Sequence, residues 1–535
     1  MSEKEGYQQN LLRRQAIGDF LRRTAKKHPN KLVLAFKNKK FTYREFDEAV
    51  NRTAHALTAL GLKKGDALAI MSQNCYQMAL LMWACFKTGI WYAPVNYLLR
   101  GPEIIFQLNH CEAFVFIVES AFLEPVKNVT NELKTVEKFG LINLAGIDLP
   151  PGWFDVDELL SGDYPDSEPE VIINGDDPAS IIYTSGTTAA PKGALIQHCS
   201  YFSQCASFLS AAGPRITEQD VWMMNIPLFH IGASSVFVAC AKGGATIHGT
   251  YGIDPIEAME LIQKEKITCL IWPPTLYTGL LGLNLEQYDL NSLRKCVWFG
   301  GSMPLDALEK WMKLCPQAVF GAHWSQTEIN ITGTLVWLDD HKLPDAGNII
   351  GKPLLDTEIR IVDADDKDVP PGQPGEIVIR SPSVMLSYYK DAERTAETIR
   401  NGWLHTGDVG RLGEDGNYYF VDRVKDMVKT GGENVSCLEV EEVLNSHPDV
   451  QVSAVFGIHH PYWIEGVTAV VIPASNNLTE DNLSDYAQKH LAKYKVPKKF
   501  ILIKYEQLPV SPTGKILRKE LRVLYKDIYK DVKGK

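Results

Sequence analysis

Apolar and polar positions along the first third of the chain follow two alternating rhythms. Phe41-Thr42-Tyr43 leads into Arg44 to Leu60, where Phe46, Val50, Ala54 and Leu57 recur at helical spacing. A Gly61–Asp66 turn follows, then short apolar runs at Ala67 to Met71 and Phe114 to Val118 that read as buried strands. Met78 to Leu99 is the longest apolar region, but Lys87, Gly89, Pro94 and Asn96 interrupt it, so it reads as a core helix followed by a strand. The same rhythm resumes later. Ala245-Thr246-Ile247, Thr268 to Trp272, Cys296 to Phe299 and Val319-Phe320 read as strands, with helices over Pro255 to Lys264 and from about Pro304. Alternation of this kind predicts an α/β body of layered, mostly parallel sheets. From Gly351 to Phe420 the texture changes to short strands and turns, predicting a β-rich subdomain, and the segment beyond Asp422 is long enough for a separate small α+β domain.

The stretch Tyr183 to Gly193 interrupts the pattern. The apolar run Ala179 to Tyr183 feeds it, and Leu195 to Leu209 beyond it has a spacing that predicts a helix. Between them lie four hydroxyls (Thr184, Ser185, Thr187, Thr188), two glycines (Gly186, Gly193) and Lys192. Backbone N–H groups, hydroxyls and a mobile ammonium together can wrap a polyanion. The common P-loop is a poor match, since Pro191 stands where that motif needs glycine and Gly193 where it needs Ser or Thr. A surface linker has similar composition, but an apolar strand feeding it is untypical of linkers.

Composition narrows the partners. The 535 residues carry a formal net charge of −10, with 45% apolar and 22% charged residues. These values suit a globular protein of more than one domain and argue against nucleic acid as main partner. Ten cysteines without a Cys-x-x-Cys pair suggest reduced thiols and a cytoplasmic setting. The polar N-terminus lacks a signal-peptide core, and no stretch reads as a transmembrane segment.

Four further stretches carry candidate chemistry. Asn225 to His230 reads as an apolar strand presenting His230, although alone this fits a satisfied core histidine. In Trp324-Ser325-Gln326-Thr327-Glu328 the carboxylate can hold Mg²⁺, a hydroxyl can bond phosphate and the indole can stack on a base. Gly402 to Asp408 and Asp422 to Asp426 supply an aspartate able to bond both ribose hydroxyls and Arg423 able to brace the sugar; a turn and an exposed charge cluster fit equally. Pro512-Thr513-Gly514-Lys515 sets a lysine on a defined turn.

In their order and spacing these stretches resemble the adenylate-forming superfamily of acyl-CoA synthetases, adenylation domains and beetle luciferases, over roughly Phe41 to Leu521. Gly431-Gly432-Glu433-Asn434-Val435-Ser436 is most similar to acid–CoA ligases. The resemblance implies an ATP-dependent ligase: a carboxylate and ATP give acyl-AMP and pyrophosphate, and coenzyme A then releases AMP. It also implies a division into residues 1–423, a hinge at 424–426 centred on Lys425, and a mobile domain over 427–535. The expected roles follow motif by motif. Thr184, Ser185, Gly186, Thr187, Thr188 and Lys192 hold the phosphates, and Thr184 and Glu328 hold Mg²⁺. Thr327 meets the α-phosphate; Gly301, Ser302, Met303, His323, Trp324 and Ser325 border the nucleotide; Asp408 and Arg423 hold the ribose. Lys515 acts in adenylation, while Gly431, Gly432 and Glu433 form the pantetheine tunnel after rotation. His230, Ser234, Trp298, Gly300, Gly301 and Ser325 are expected to line the acid, a short or medium-chain or aromatic monocarboxylate. Ala189, Ala190, Trp324 and Ser325 depart from the usual motif residues without removing a charged or nucleophilic group. Loading of a carrier protein's phosphopantetheine and, more remotely, luciferase-type oxygenation stay open as alternatives, and a homodimer is compatible with the sequence.

Overall fold

The computed structural model describes residues 3–184, 191–252, 254–338, 343–344, 347–424, 426–430, 433–475, 477–511 and 516–530. Two large sheets form the body. In the first, strands Ala67–Met71, Trp91–Val95, Ala113–Glu119 and Lys138–Ile142 run parallel, with Pro178–Thr184 beside Trp91–Val95. In the second, Val221–Met224, Thr246–Gly249, Cys269–Trp272, Lys295–Phe299 and Val319–Trp324 are parallel neighbours. The helices Tyr43–Ala59, Tyr76–Thr88, His198–Leu209 and Ile231–Gly243 contribute to one hydrophobic core with residues of both sheets, such as Leu68, Ile70, Ile247 and Val297. Tyr76–Thr88 and Ile231–Gly243 are apolar on nearly every side, as helices enclosed between layers must be. Each ends on a glycine in the left-handed region, Gly89 and Gly244, where a side chain would be strained.

The β-rich subdomain is continuous with the second sheet. Strand Ile349–Pro353 pairs on one side with Thr334–Leu338 and on the other with Tyr418–Arg423. Glu358–Val362, Gly375–Arg380 and Trp403–Leu412 complete its antiparallel run. Beyond it, Val428–Thr430, Glu433–Val435, Val450–His460, Ile464–Pro473 and Lys499–Leu502 make a separate five-stranded sheet. Helices Cys437–Asn445 and Glu480–His490 contribute to one of its cores, and Arg518–Leu524 to the other. This is the small α+β unit expected from the sequence. Among the described residues no helix is long and apolar enough to cross a membrane, and all ten cysteines are free.

The helix expected from Leu195 begins only at His198. Lys192–Gln197 is a strand, antiparallel to Pro178–Thr184, with Thr184 opposite Lys192. Its residues Gly193 to Ile196 are buried throughout, so they lack the exposed face that distinguishes strand from helix by periodicity. The presumed phosphate loop therefore joins two hairpin strands, and no helix N-terminus follows it directly.

Two histidines in this body are held uncharged by burial. His198 accepts a hydrogen bond at Nδ1 from the Ile17 N–H, and burial pushes its pKa down to about 3. His323 donates Nε2–H to the Ile331 carbonyl at 3.0 Å, and burial brings it to about 4. Both must stay neutral in the native state while the unfolded chain binds the proton near its ordinary value. Stability is therefore unaffected above about pH 6.5 and falls as pH drops from there toward about 4. For His323→Gln, which keeps a donor, chemical denaturation should show the loss between about pH 7 and pH 5 shrinking by about 2 kcal/mol; an unchanged loss would mean that the ring titrates normally.

Candidate functional site

Because the strands of the second sheet are parallel, their carboxyl ends open on one edge, where ligands gather in such sheets. Asn225 to His230 leaves the end of Val221–Met224, Gly300 to Ser302 the end of Lys295–Phe299, and Ser325 to Glu328 the end of Val319–Trp324.

On one side of this edge stands the hairpin. The Lys192 ammonium lies 4.7 Å from the centre of the Tyr388 ring, and the Tyr388 hydroxyl donates to Glu328 Oε1 at 2.8 Å. Burial and the Glu328 carboxylate push the Tyr388 phenol well up, so it remains a donor. The backbone reinforces the link: Met385 N–H donates to the Glu328 carbonyl, and Leu386 and Tyr389 N–H to the carbonyls of Leu195 and Gly193. Thr184, Lys192 and Glu328 are thus brought together through a two-residue strand, Ser387–Tyr388, pairing with the hairpin. Sequence reasoning missed Tyr388; its only local signal is a Tyr388-Tyr389-Lys390 run.

On the other side Asp408 is 3% exposed. Its Oδ2 accepts from Trp324 Nε1 at 3.0 Å and Gln326 Nε2 at 2.8 Å, and its Oδ1 lies 3.4 Å from Arg423 Nε. Asp408 and Arg423 are directly opposite on neighbouring strands, which explains how residues of two separate motifs meet. Gln326 also donates to the Thr406 carbonyl at 2.9 Å. The Gly402–Asp408 stretch is strand from Trp403 onward, and only Gly402 (φ 76°) belongs to a turn. Trp324 ends its strand, edge-bonded to Asp408 and packed with Ile329, Ile350 and Ile377. Gln326 was the silent position of its motif.

Of the residues expected to line the acid, His230 is not on a strand as the sequence predicts. It caps helix Ile231–Gly243, its Nδ1 accepting from Gly232 N–H at 3.0 Å, and its ring lies 6.4 Å from that of Phe299. Pro227 breaks the strand pattern before it. The loop is pinned from behind. Asn74 donates Nδ2–H to the Ile226 carbonyl at 3.0 Å and accepts Leu228 N–H at 2.7 Å. Trp272 Nε1–H reaches Asn225 Oδ1 at 2.9 Å, and the Tyr92 hydroxyl the Leu228 carbonyl at 3.1 Å. Trp298 is a correction. Strand alternation turns its indole into a core with Trp272, Tyr277 and Trp311, and the neighbouring Phe299 faces His230 instead. Ser234 is fully buried, its hydroxyl donating to the His230 and Ile231 carbonyls.

Gly300 (φ 77°) and Gly301 are exposed, and the space where a Cβ would stand is open at Gly300 and nearly so at Gly301. The Ser302 hydroxyl is buried without a partner among the described residues, while Met303 and His323 have buried side chains. Ser325 and Thr327 are half-buried at the mouth. Ser185, Gly186, Thr187, Thr188, Lys425, Gly431, Gly432 and Lys515 lie outside the described residues, as does the side chain of Glu433. For Mg²⁺ the donors are chemically suitable: one half-buried carboxylate held by a phenol, and hydroxyl oxygen at Thr184. Among the described residues no group of three or more His, Cys, Asp or Glu could hold a metal ion.

Comparisons with known proteins identify the family. The AMP-binding enzyme family matches residues 21–389, and the AMP-binding enzyme C-terminal domain residues 439–515. A feruloyl-CoA synthase of an Amycolatopsis species is 32% identical over 518 residues, covering 96% of this chain and 99% of its own. A 2-succinylbenzoate–CoA ligase of Bacillus subtilis is 31% identical over 94% of this chain and 97% of its own. Among solved structures, an anthranilate CoA ligase in complex with anthranoyl-AMP superposes with a TM-score of 0.87 at 26% identity, covering 96% of this chain and 97% of that one. With a family match over most of its length and full-length ligase relatives, the chain belongs to the AMP-binding enzyme family and is an AMP-forming acid–CoA ligase.

Proposed function

We propose that the chain joins an aromatic or medium-chain monocarboxylate to coenzyme A, with the acid between His230, Phe299, Gly300 and Ser325. The observation that carries this reading is the convergence of Lys192, Glu328 and the Asp408–Arg423 pair on the strand-end edge that also bears His230. Similar ligases named for ferulate, 2-succinylbenzoate and anthranilate support the aromatic alternative.

The chemistry is a displacement at phosphorus followed by one at carbon. A carboxylate oxygen attacks the α-phosphorus of ATP, a P–O bond forms, and pyrophosphate leaves with the electrons of the broken bond. The attacking group and the phosphates are both anionic, so catalysis is positioning plus charge neutralisation. Lys192 and the hairpin hydroxyls hold the β- and γ-phosphates, Thr327 the α-phosphate, Asp408 and Arg423 the ribose. Bound at Glu328 and Thr184, Mg²⁺ supplies further neutralisation of the phosphates. Lys515 bridges the carboxylate and α-phosphate. The thiol of coenzyme A then attacks the acyl carbon and AMP leaves. Lys493, Lys498 and Lys499 form a basic cluster in the small domain's sequence that suits the phosphates of coenzyme A, though Lys499 also pairs with Glu480 at 2.8 Å. Rotation about Lys425 exchanges Lys515 for Gly431 to Glu433 between the two steps.

Incubation with ATP, pyrophosphatase and a panel of acids, with and without coenzyme A, tests the reading. AMP release should require both an acid and coenzyme A for steady turnover; release that needs a carrier protein instead would overturn it. Lys515→Ala should lower acid-dependent pyrophosphate exchange by about 10²–10³ while thioester formation from preformed acyl-AMP persists. Equal loss in both half-reactions would remove that role from Lys515. Lys425→Pro should do the reverse, sparing acyl-AMP formation and blocking the thioester; an unimpaired second step would exclude the hinge. Tyr388→Phe frees Glu328 of its donor, and the Mg²⁺ concentration for half-maximal exchange should shift by about fivefold, as one lost hydrogen bond to a charged group allows. No shift would place the metal elsewhere.

A further inference from the structure

Behind the loop Asn225 to His230, one side chain does for the backbone what a neighbouring strand would. Pro227 interrupts strand pairing, so the buried polar groups of the residues beside it need partners from elsewhere. Asn74 supplies two of them. Its Nδ2 donates to the Ile226 carbonyl at 3.0 Å, and its Oδ1 accepts the Leu228 N–H at 2.7 Å. A longer contact runs from Nδ2 to the Met224 carbonyl at 3.5 Å. The amide thus clamps the backbone on both sides of the proline, and turned over it would set like groups against like. The Tyr92 hydroxyl holds the Leu228 carbonyl, so both polar backbone groups of Leu228 are bonded.

Asn74 is itself held in place. It is buried in the turn between strand Ala67–Met71 and helix Tyr76–Thr88. Just before it, the Ser72 hydroxyl and the Gln73 N–H donate to Glu119 Oε2 at 3.0 and 2.9 Å. Glu119 is fully buried at the end of strand Ala113–Glu119 in the first sheet. Its other oxygen accepts the hydroxyl of Tyr251, which follows strand Thr246–Gly249 of the second sheet. One carboxylate therefore ties the ends of both sheets together beside the amide. Packing secures the loop less firmly on this side, because a small apolar cavity lies among Asn74, Cys75, Ala79, Met224, Leu228 and Phe237. With the amide's bonds cut, Leu228 has room to sink there and to draw Phe229 and His230 after it.

We propose that Asn74 is a positioning residue for acid binding, fixing the height of the loop that presents Phe229 and His230 to the carboxylate substrate. This inference rests on the ligase reading above, in which the acid lies beside His230, and adds a residue that acts on the acid only through that loop. The nucleotide side is held by separate contacts, through Tyr388 to Glu328 and through Gln326 to Asp408. Loss of the clamp should therefore weaken use of the acid and spare use of ATP. A residue that only stabilised the fold would lower the melting temperature and leave the KM for the acid unchanged in the folded enzyme.

The test is acid-dependent pyrophosphate exchange by the full chain, with an acid of the panel that the wild type adenylates. If the wild type adenylates none, the ligase reading fails; if His230→Ala leaves the KM for the acid unmoved, the acid does not lie at this loop. Either result removes the ground beneath the inference and is told apart from a failure of Asn74 alone. Asn74→Leu, close in volume, should raise the KM for the acid about tenfold while that for ATP stays within about twofold. Asn74→Asp adds a readout specific to the hydrogen bonds. Its neutral carboxyl can donate to Ile226 and accept from Leu228 as the amide does, whereas the ionised form can only accept. Burial raises a carboxyl's pKa, so the KM for the acid, taken relative to wild type, should fall toward the wild-type value between about pH 8.5 and about pH 6. The adjacent Cys75 does not titrate in this range, since burial pushes its thiol up to about 12. The proposal is overturned by a KM for the acid within about twofold of wild type in folded Asn74→Leu, by an equal rise in the KM for ATP, or by a relative KM of Asn74→Asp that does not fall with pH. Should Asn74→Leu not fold, the profile of Asn74→Asp decides alone.

Discussion

A buried carboxylate cannot stay charged in a protein interior unless its neighbours supply hydrogen-bond donors or opposite charge, and the site is built around one that has both. Asp408 is held by the Trp324 indole and the Gln326 amide on one oxygen and faces the Arg423 guanidinium with the other. Trp324 ends the parallel part of the second sheet, while Asp408 and Arg423 belong to its antiparallel extension. One side chain therefore fixes the relative placement of two sheet regions and sets the wall on which a nucleotide would rest. Removing either donor leaves part of a desolvated charge unpaired, at a cost of several kcal/mol for a fully buried group.

Glu328 plays a comparable part across the cleft, with Tyr388 as its donor and the Lys192 ammonium above the same ring. Both carboxylates follow one design. Glu328 follows the end of a strand and Asp408 lies within one, but each is oriented by an aromatic donor and each has a cation close by. The surface proposed for the acid differs, offering a helix cap, two glycines and a phenylalanine. Charge is concentrated where phosphates would lie and would be kept away from an acyl chain held there, which would suit a reaction whose substrates are polar at one end.

How much of this could be read from the chain depended on whether a residue's role is local. The layered α/β body, the small α+β unit and the order of the loops were legible, because apolar periodicity and motif spacing are local properties. The meeting of Asp408 with Arg423 was implied by motif order, and strand register supplies its cause. Trp298 is misplaced by a reading that recognises the strand but not which of its faces turns inward; Phe299, next to it, is the residue whose ring lies beside His230. The second half of the hairpin strand Lys192–Gln197, from Leu195, reads as the start of the following helix because Gly193 to Ile196 are buried on both faces and show no alternation. Tyr388 offers only a Tyr388-Tyr389-Lys390 run and Gln326 nothing beyond its place in a motif. Their partners stand 60 and 82 residues away, and nothing in a lone tyrosine or glutamine announces such a contact.

The junction before the small domain has an energetic consequence. Asp422 lies on the last strand of the body, yet its carboxylate accepts the N–H groups of Cys437 and Leu438 and the Ser436 hydroxyl, at the start of the first helix beyond Lys425. Burial pushes its pKa up, so these donors are what keep it bonded in a dry setting. A swivel at Lys425 that separates the two would have to surrender this clasp, and a few kcal/mol held there would bias the resting orientation by one or more powers of ten. The tempo of alternation between half-reactions would then be written partly into a residue that touches neither substrate.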